Sequence, residues 1–504
     1  MSASRIRENV YHGKEITDLV VPCVQNYIYE NNLYAAGAGE TMRKRAPLVR
    51  PVSITRSEDP KTGEQKLETC TAKDTMRAAD LASAEESLQI PENRIEGSIR
   101  FRKNEKTAVI TGIRNLSGEG FGGALTVMEE FLMHCMEEGI LRIVFEGEEK
   151  EKWKELLSMF GFVPTADRTG YEVSLENSIV LFSDTGYVIR KDYISAASVR
   201  KAVHQAQMRL LKAAGQLRPG HAVFRIEGET LSYKLMKLVL AANPAKLQPH
   251  TSRMLGDLTC VPIGRLFKNT VIPGCVTKDL YIEMQYSEDL LSNHISEAAG
   301  YAPLLSQARM IRSFMRPVML IDDIYSLDQN GQAVSSLFSR EHADVEAFIV
   351  GIHTGNVSSD GTDQDASRIR AVCRIPDAAL ILTESELYPF IGGMSVSAGE
   401  RSYATPSVNP ILPYQFPPAQ KETGAEPFFH FSEVCLENTR DILLALEEEY
   451  LHKNGSRLTM LRLREVFQEV RIPDCLPADT SFTNETPSSL LRQELKKLNR
   501  LAPF

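Results

Sequence analysis

The sequence predicts an α/β protein that combines a mixed sheet with a parallel sheet and ends in a helical region. Short apolar runs alternate with helical patterns, an order typical of parallel strands joined by crossover helices. One such unit runs from an apolar strand at 318–321 through a helix at 332–340 to a strand at 346–352. An earlier unit has a strand at 222–226 and a helix at 231–242.

The charge, hydropathy and cysteine spacing of the chain argue against several functional classes. The formal net charge of -9 over 504 residues argues against a general nucleic-acid binder, because affinity for phosphate backbones comes from clustered Lys and Arg. No run approaches the roughly 20 apolar residues that span a bilayer, so we expect a cytoplasmic protein without membrane contacts. The eight cysteines show no C-x-x-C pair, and we interpret them as small buried side chains rather than disulfides or metal ligands.

Turn signals and composition divide the chain into five segments. These are 1–93, to which no role is assigned; 94–182, with the mixed sheet; 193–394, with the parallel sheet; 395–430, a proline-rich connector; and 431–504, a helical tail. Helical patterns at 432–452, 458–470 and 488–501 make up the tail. Their apolar faces favour packing on the preceding domain, and a homo-oligomer interface is the alternative.

A glycine-rich turn in the second segment precedes a helix. Free amides at such a helix N-terminus can hold a pyrophosphate, although glycine is also the default residue of any tight turn. The glycines are Gly118, Gly120 and Gly122, and the segment closes on Gly161 and Phe162. With the order of elements around it, this pattern resembles the GNAT family of acyl-CoA N-acyltransferases. The resemblance implies that the three turn glycines bind an acyl-CoA such as acetyl-CoA.

Two positions depart from the GNAT pattern. Asn115 stands where the family has Gln or Arg, and Leu157 stands where it has the Tyr that often protonates the leaving thiolate. Glu119 also places a negative charge in the turn. The resemblance therefore supports the fold more than the activity.

The strongest candidates for chemistry are Asp322 and Asp323, which follow the apolar run 318–321. A buried parallel strand delivers its last residues to the carboxyl edge of a sheet, where α/β proteins place ligands. The alternative is that the two carboxylates cap the next helix or lie solvated at the strand end. The earlier strand at 222–226, which also ends in acidic residues, and a long insertion at 250–299 favour the ligand-binding interpretation.

These features together resemble the type I phosphoribosyltransferases. The resemblance implies that Asp322 and Asp323 contact ribose and stabilise a ribosyl cation, and that the ligand is PRPP or a nucleotide with Mg²⁺ on its pyrophosphate. It also implies a pyrophosphate loop after the strand at 222–226 and a phosphate loop after the acid pair. The residues assigned to these loops are Glu227, Gly228, Glu229 and Thr230 in the first, and Ser326, Asn330 and Gly331 in the second.

The phosphate loop departs from the family pattern. Residues 327–330 read Leu-Asp-Gln-Asn where the family has Thr-Gly-x-Thr, which removes both hydroxyls and adds an anion. Three hypotheses therefore remain open. The protein transfers or recognises a phosphoribosyl group, it transfers an acyl group from acyl-CoA, or it is a non-catalytic sensor of a nucleotide or CoA-like ligand.

Overall fold

The structure is a computed structural model of the chain. It describes residues 6, 48–49, 52–71, 76–77, 94–117, 121–247, 254–268, 270, 272–286, 293–298, 301–326, 329–354, 368–389, 391, 395–396, 425–467, 485–489 and 491. The connector at 395–430 and the tail helix predicted at 488–501 lie largely outside these residues.

The described strands and helices are numbered in chain order. The strands are β1 Leu48–Val49, β2 Val52–Glu58, β3 Gln65–Thr71, β4 Met76–Arg77, β5 Arg94–Asn104, β6 Thr107–Asn115, β7 Arg142–Phe145, β8 Val163–Pro164, β9 Tyr171–Ser183, β10 His221–Glu227, β11 Lys246–Leu247, β12 Met254–Leu255, β13 Thr259–Pro262, β14 Val276–Thr277, β15 Ile282–Tyr286, β16 Asn293–Glu297, β17 Val318–Ser326, β18 Val345–Thr354, β19 Ile369–Ile375, β20 Ala378–Thr383 and β21 Ser395–Val396. The helices are α1 Gly122–Glu137, α2 Lys150–Met159, α3 Thr185–Val188, α4 Lys191–Ile194, α5 Ala197–Leu217, α6 Gly228–Ala242, α7 Leu304–Arg312, α8 Gln329–Arg340, α9 Glu384–Leu387 and α10 Ala425–Asn454. None of these helices is long and apolar enough to cross a membrane.

The larger sheet is mixed and has nine strands, with the main order β10-β9-β7-β6-β5-β3-β2. Strands β2, β3, β5 and β6 pair antiparallel, whereas β6 and β7 are parallel. The second half of β9 lies between β10 and β20 and is parallel to both. The mixed sheet therefore includes strands from both sides of the predicted boundary at 182–193.

The second sheet has five strands in the order β14-β13-β17-β18-β19, and all of its pairs are parallel. Its central strand β17 is apolar on both faces, as helix-covered parallel sheets require. Val318 and Leu320 pack in the cluster that includes α7 and α8, whereas Met319 and Ile321 pack in the larger core shared with the mixed sheet. The predicted α/β class, with a mixed and a parallel sheet, is confirmed.

Helix α6 lies between the two sheets. It begins directly after β10 of the mixed sheet, and its side chains reach the parallel sheet at β18 and β19. A Cβ on Gly351 of β18 would stand 2.7 Å from Leu231 Cδ2 of α6 and 2.6 Å from the Asp323 carbonyl oxygen. Only glycine at this position permits the first turn of α6 to lie against β18 next to the strand that carries the acid pair.

Three predicted boundaries were wrong. Strand β17 does not end at Ile321 but continues to Ser326, so the two acidic residues lie inside the strand. The following helix begins at Gln329 rather than at 332. In the tail, the helix predicted at 458–470 is a short 3-10 helix, Met460–Glu465, whereas α10 is longer than predicted and packs along α5.

We expect Gly97→Ala to destabilise the mixed sheet by about 2 kcal/mol or more, because overpacking forces backbone to move. A Cβ on Gly97 would lie 2.1 Å from the carbonyl oxygen of Gly123, where α1 rests directly on β5. Gly112→Ala is the matched control, since its Cβ would meet only the flexible end of Arg100 at 3.2 Å. Urea unfolding measures both variants. Equal unfolding free energies for the two variants would contradict the close approach.

Candidate functional site

The candidate site is the carboxyl edge of the parallel sheet between β13 and β17. In the strand order β14-β13-β17-β18-β19, the chain goes from β13 to one side and later returns to the other. Such a reversal opens a crevice beyond the carboxyl ends of the two central strands, and ligands of open α/β sheets bind there. Here that edge carries the acid pair on β17 and the loop that follows β13, which we call the switch loop and define as Gly264–Lys268.

The Asp323 carboxylate holds the switch loop in place. It accepts hydrogen bonds from the amide of Leu266, at 3.3 and 3.1 Å, and from the amide of Arg265. A Cβ on Gly264 would stand 2.4 Å from the Asp323 carboxyl group, so the loop fits this closely only because that residue is glycine. Burial raises the pKa of Asp323 to about 7, although the Leu266 hydrogen bond opposes the shift.

Asp322 faces the opposite side of the strand, because successive side chains alternate. Its carboxylate accepts the amide of Asp323 at 2.8 Å and the amide of Ile324. Burial of the carboxyl group, and then the charge of Asp323, raise its pKa to about 8, while the nearby Lys268 ammonium lowers it. Lys268 is itself buried, with its ammonium 5.5 Å from the Tyr281 ring centre.

The switch loop also reaches the mixed sheet. The Arg265 guanidinium donates to the fully buried Asp184 at 3.0 Å and to the Ser385 hydroxyl. Asp184 further accepts the amide of Ser385 at 2.8 Å and its hydroxyl at 2.6 Å. Asp184 follows β9 and Ser385 follows β20, so two parallel strand ends of one sheet meet the switch loop of the other. We call Asp184, Arg265, Asp323 and Ser385 the inter-sheet cluster.

Two further carboxyl groups with raised pKa values lie along the mixed sheet. Glu384 accepts hydrogen bonds from Gln207 at 3.2 Å and from the Tyr388 hydroxyl at 3.3 Å, and burial raises its pKa to about 7. Glu129 of α1 accepts a hydrogen bond from Arg225 of β10, and burial raises its pKa to about 7 as well. Both groups have protein partners that fix their positions.

The predicted pyrophosphate loop lies in the mixed sheet. Glu227 is the last residue of β10, and Gly228, Glu229 and Thr230 form the first turn of α6. The hydroxyl of the partly buried Tyr187 donates to Ser232 Oγ at 3.0 Å, and the Gly228 carbonyl oxygen lies 3.3 Å away as a second acceptor. Because the first turn of α6 packs beside Asp323 through Gly351, these residues and the acid pair lie in one region of the molecule.

The predicted phosphate loop is described only at its ends. Ser326 is the last residue of β17, and Asn330 and Gly331 lie in the first turn of α8. Residues 327–328 lie outside the described chain. The order strand, short connection, helix is therefore present after the acid pair.

The predicted acyl-CoA turn is described in part. Gly118 and Gly120 lie outside the described residues, and Gly122 begins α1. The amide of Gly123 donates to Asn115 Oδ1 at 3.1 Å and to Ser117 Oγ at 2.6 Å, and the amide of the next residue also donates to Asn115 at 3.3 Å. Two of the amides that a pyrophosphate would use at this helix end therefore already have side-chain acceptors.

The sequence analysis missed the switch loop and the two strand ends that meet it. The signal was present, since an apolar run at 259–263 ends in Gly264 and Arg265 just as the run at 318–321 ends in acidic residues. The run at 179–182 likewise precedes Asp184. The first of these runs falls within the long insertion predicted at 250–299, and the last falls at the predicted end of the segment 94–182.

Comparisons with protein-family models, with curated proteins and with solved structures found no match. The fold alone gives the class of the protein, which is an α/β protein with a mixed and a parallel sheet. The carboxyl edges of these two sheets meet at the inter-sheet cluster, where the Arg265 guanidinium donates to Asp184.

We expect Arg265→Met to destabilise the protein by about 3 to 5 kcal/mol, because it leaves the buried Asp184 carboxylate without its cation. Arg309→Met is the control. Arg309 pairs with Glu341 at 3.0 Å but its side chain is 68% exposed, so its loss costs about 1 kcal/mol or less. Chemical unfolding measures both, and adding Asp184→Asn to Arg265→Met should restore part of the loss. Equal effects of the two arginine substitutions would refute the structural role of the inter-sheet cluster.

We expect stability to fall as pH rises from 5 to 8. Asp322 titrates near 3.8 when unfolded and at about 8 when folded, so the folded state holds the extra proton within this window. A group of this kind contributes stability below its unfolded pKa and loses it as pH approaches the folded pKa, at roughly 1 kcal/mol per pH unit. Asp322→Asn should reduce the slope of unfolding free energy against pH by about this amount, while Asp323, Glu129 and Glu384, whose pKa values are raised to about 7, maintain the remaining slope. Glu346→Gln, an exposed change on β18, should not; an unchanged slope in Asp322→Asn would contradict the assignment.

Proposed function

We propose that the protein binds a phosphoribosyl ligand, PRPP or a mononucleotide, at the carboxyl edge of its parallel sheet, and that it binds this ligand without transferring it. The observation that carries the proposal is the coincidence of the acid pair with the topological switch point between β13 and β17. On this proposal the parallel-sheet region is phosphoribosyltransferase-like in fold, and residues 94–182, which form most of the mixed sheet, are GNAT-like.

The two carboxylates take different roles in this proposal. Asp323 is enclosed by the amides of the switch loop and positions that loop. Asp322 retains some exposed surface and lies near the Lys268 ammonium. An acid and a cation that influence each other electrostatically suit a ribose hydroxyl and a phosphate, because the carboxyl group hydrogen-bonds to the hydroxyl while the ammonium attracts the phosphate.

Binding without transfer follows from the protonation of the acid pair. A ribosyl cation is stabilised by anionic groups already aimed at it. Raised pKa values of about 8 for Asp322 and about 7 for Asp323 keep a proton on one or both groups near neutral pH. Both carboxyl groups also bond backbone amides, so neither is free to follow charge that develops on a substrate.

A magnesium ion fits this site only as part of the ligand. The described residues contain no group of three or more His, Cys, Asp or Glu side chains that could hold a metal ion. Mg²⁺ commonly binds through one or two carboxylates together with phosphate oxygens and water. Asp322 would then give up its proton and supply one carboxylate ligand from the protein, and the phosphates and water would supply the rest.

We expect PRPP with Mg²⁺, or a mononucleotide, to raise the melting temperature, since a ligand at 100 times its dissociation constant stabilises by about 2.7 kcal/mol. With Asp322→Asn or Lys268→Met, at least ten times more ligand should be needed to give the same rise in melting temperature. Glu346→Gln is the control because it lies at the amino end of β18, on the opposite edge of the same sheet. Acetyl-CoA should give no shift, because Asn115 and Ser117 occupy the α1 amides.

Two outcomes would reject the proposal. One is the absence of a shift with PRPP and with mononucleotides, and the other is a full shift in Asp322→Asn. Continuous release of pyrophosphate from PRPP would instead show that the protein transfers the phosphoribosyl group rather than only binding it.

A further inference from the structure

Two cysteines flank the switch loop. Of the six cysteines in the described chain, five are buried and Cys275 alone is partly exposed. Cys260 lies in the middle of β13, and Cys275 directly precedes β14, the strand that pairs with β13. The amide nitrogen Nδ2 of Asn243 stands 3.6 Å from the Cys260 sulfur and 3.5 Å from the Cys275 sulfur. The two thiols also hydrogen-bond to each other.

Asn243 is fixed in the position from which it contacts both sulfurs. It is buried at the end of α6, where its Oδ1 accepts the amide of Leu258 at 3.0 Å and its Nδ2 donates to the Leu258 carbonyl at 3.0 Å. A Cβ on Gly256 would lie 2.1 Å from Asn243 Oδ1, so only glycine at this position leaves room for the Asn243 side-chain amide. A donor held against two sulfurs favours negative charge on one of them.

The hydrogen bond between the thiols gives them unequal acidity. It lowers the pKa of Cys275, and the Asn243 contact acts in the same direction. The same hydrogen bond, together with burial, raises the pKa of Cys260. The more acidic sulfur is thus the one with access to solvent, as a nucleophilic cysteine requires.

We propose that Cys260 and Cys275 form a reversible oxidation site at which a hydroperoxide converts two thiols into a disulfide. The Cys275 thiolate attacks one oxygen of the hydroperoxide, the O–O bond breaks, and the leaving oxygen takes the proton that Cys275 gave up. The Cys260 sulfur then attacks the resulting sulfenic acid, the S–O bond breaks, and hydroxide leaves with the Cys260 proton as water. The two thiols lose two electrons, and hydrogen peroxide is reduced to two molecules of water.

The disulfide closes the chain around the switch loop. Residues 260–275 include Gly264–Lys268, so the cross-link joins the strand before this loop to the turn after it. Closing a loop of this length restricts the unfolded chain and raises the melting temperature. An effect on phosphoribosyl binding, in contrast, rests on the proposed function, because only then does the switch loop contact a ligand.

The test is to oxidise the full chain with hydrogen peroxide, alkylate the remaining thiols and map the peptides by mass spectrometry. The expected product is a Cys260–Cys275 linked peptide pair that lacks two hydrogens, is restored by dithiothreitol and melts a few degrees higher than the reduced protein. Cys260→Ser and Cys275→Ser should each abolish the linked pair. Cys373→Ser is the control, because this buried cysteine donates instead to the Gly351 carbonyl at 3.4 Å, and its loss should leave the pair unchanged.

Separate alkylation of both cysteines after oxidation, or linkage of either one to another cysteine, would overturn the proposal. The ligand measurement is independent of this result. If the disulfide forms but neither redox state responds to PRPP or mononucleotides, the oxidation site stands and the proposed function fails. If the reduced protein binds ligand and no disulfide forms, the proposed function stands and the oxidation site is rejected.

Discussion

The structure depends on one buried carboxylate, that of Asp323. It accepts the amides at the start of the switch loop, and the loop then carries the Arg265 guanidinium to the end of β9. An unpaired buried carboxylate costs several kcal/mol, so the strand can continue through this residue only where donors meet it. The position of Asp323 thereby determines where the loop after β13 lies and how the two sheets meet. Gly264 is a direct consequence, since any side chain there would overlap the carboxyl group.

The alternation of side chains along β17 gives the two acidic residues different surroundings. Two neighbouring residues of a strand face opposite sides, so the acid pair does not present two equivalent carboxylates to one ligand. Asp323 contacts the switch loop that reaches the mixed sheet, and the pKa of Asp322, raised by burial, is lowered in part by the charge of Lys268. Burial then keeps both groups partly protonated near neutral pH, which favours a binding site over a transferase site. The proposed oxidation of Cys260 and Cys275 would close the chain around the same loop.

Local sequence patterns predicted where the candidate site lies along the chain, but they did not predict the contacts that its carboxyl groups make. The run at 318–321 predicted a buried parallel strand, and the two acidic residues predicted a ligand-binding edge. The prediction ended the strand at Ile321 because two charged residues are unfavourable in a core. The strand continues because its carboxylates receive amides, one set of which comes from Leu266. A donor so far away in the sequence leaves no local signal.

The sequence alone determined the α/β class and the approximate course of several elements. The strand predicted at 222–226 is His221–Glu227, and the helix after it, predicted at 231–242, is Gly228–Ala242. Apolar runs and helical periodicity involve residues close together in the chain, so they can be recognised from the sequence alone. Tertiary structure decided that β10 and β20 both join β9 of the mixed sheet, and that the switch loop meets their carboxyl edge. Strand pairing and the burial of charge depend on groups distant in sequence, and only the folded chain brings those groups together.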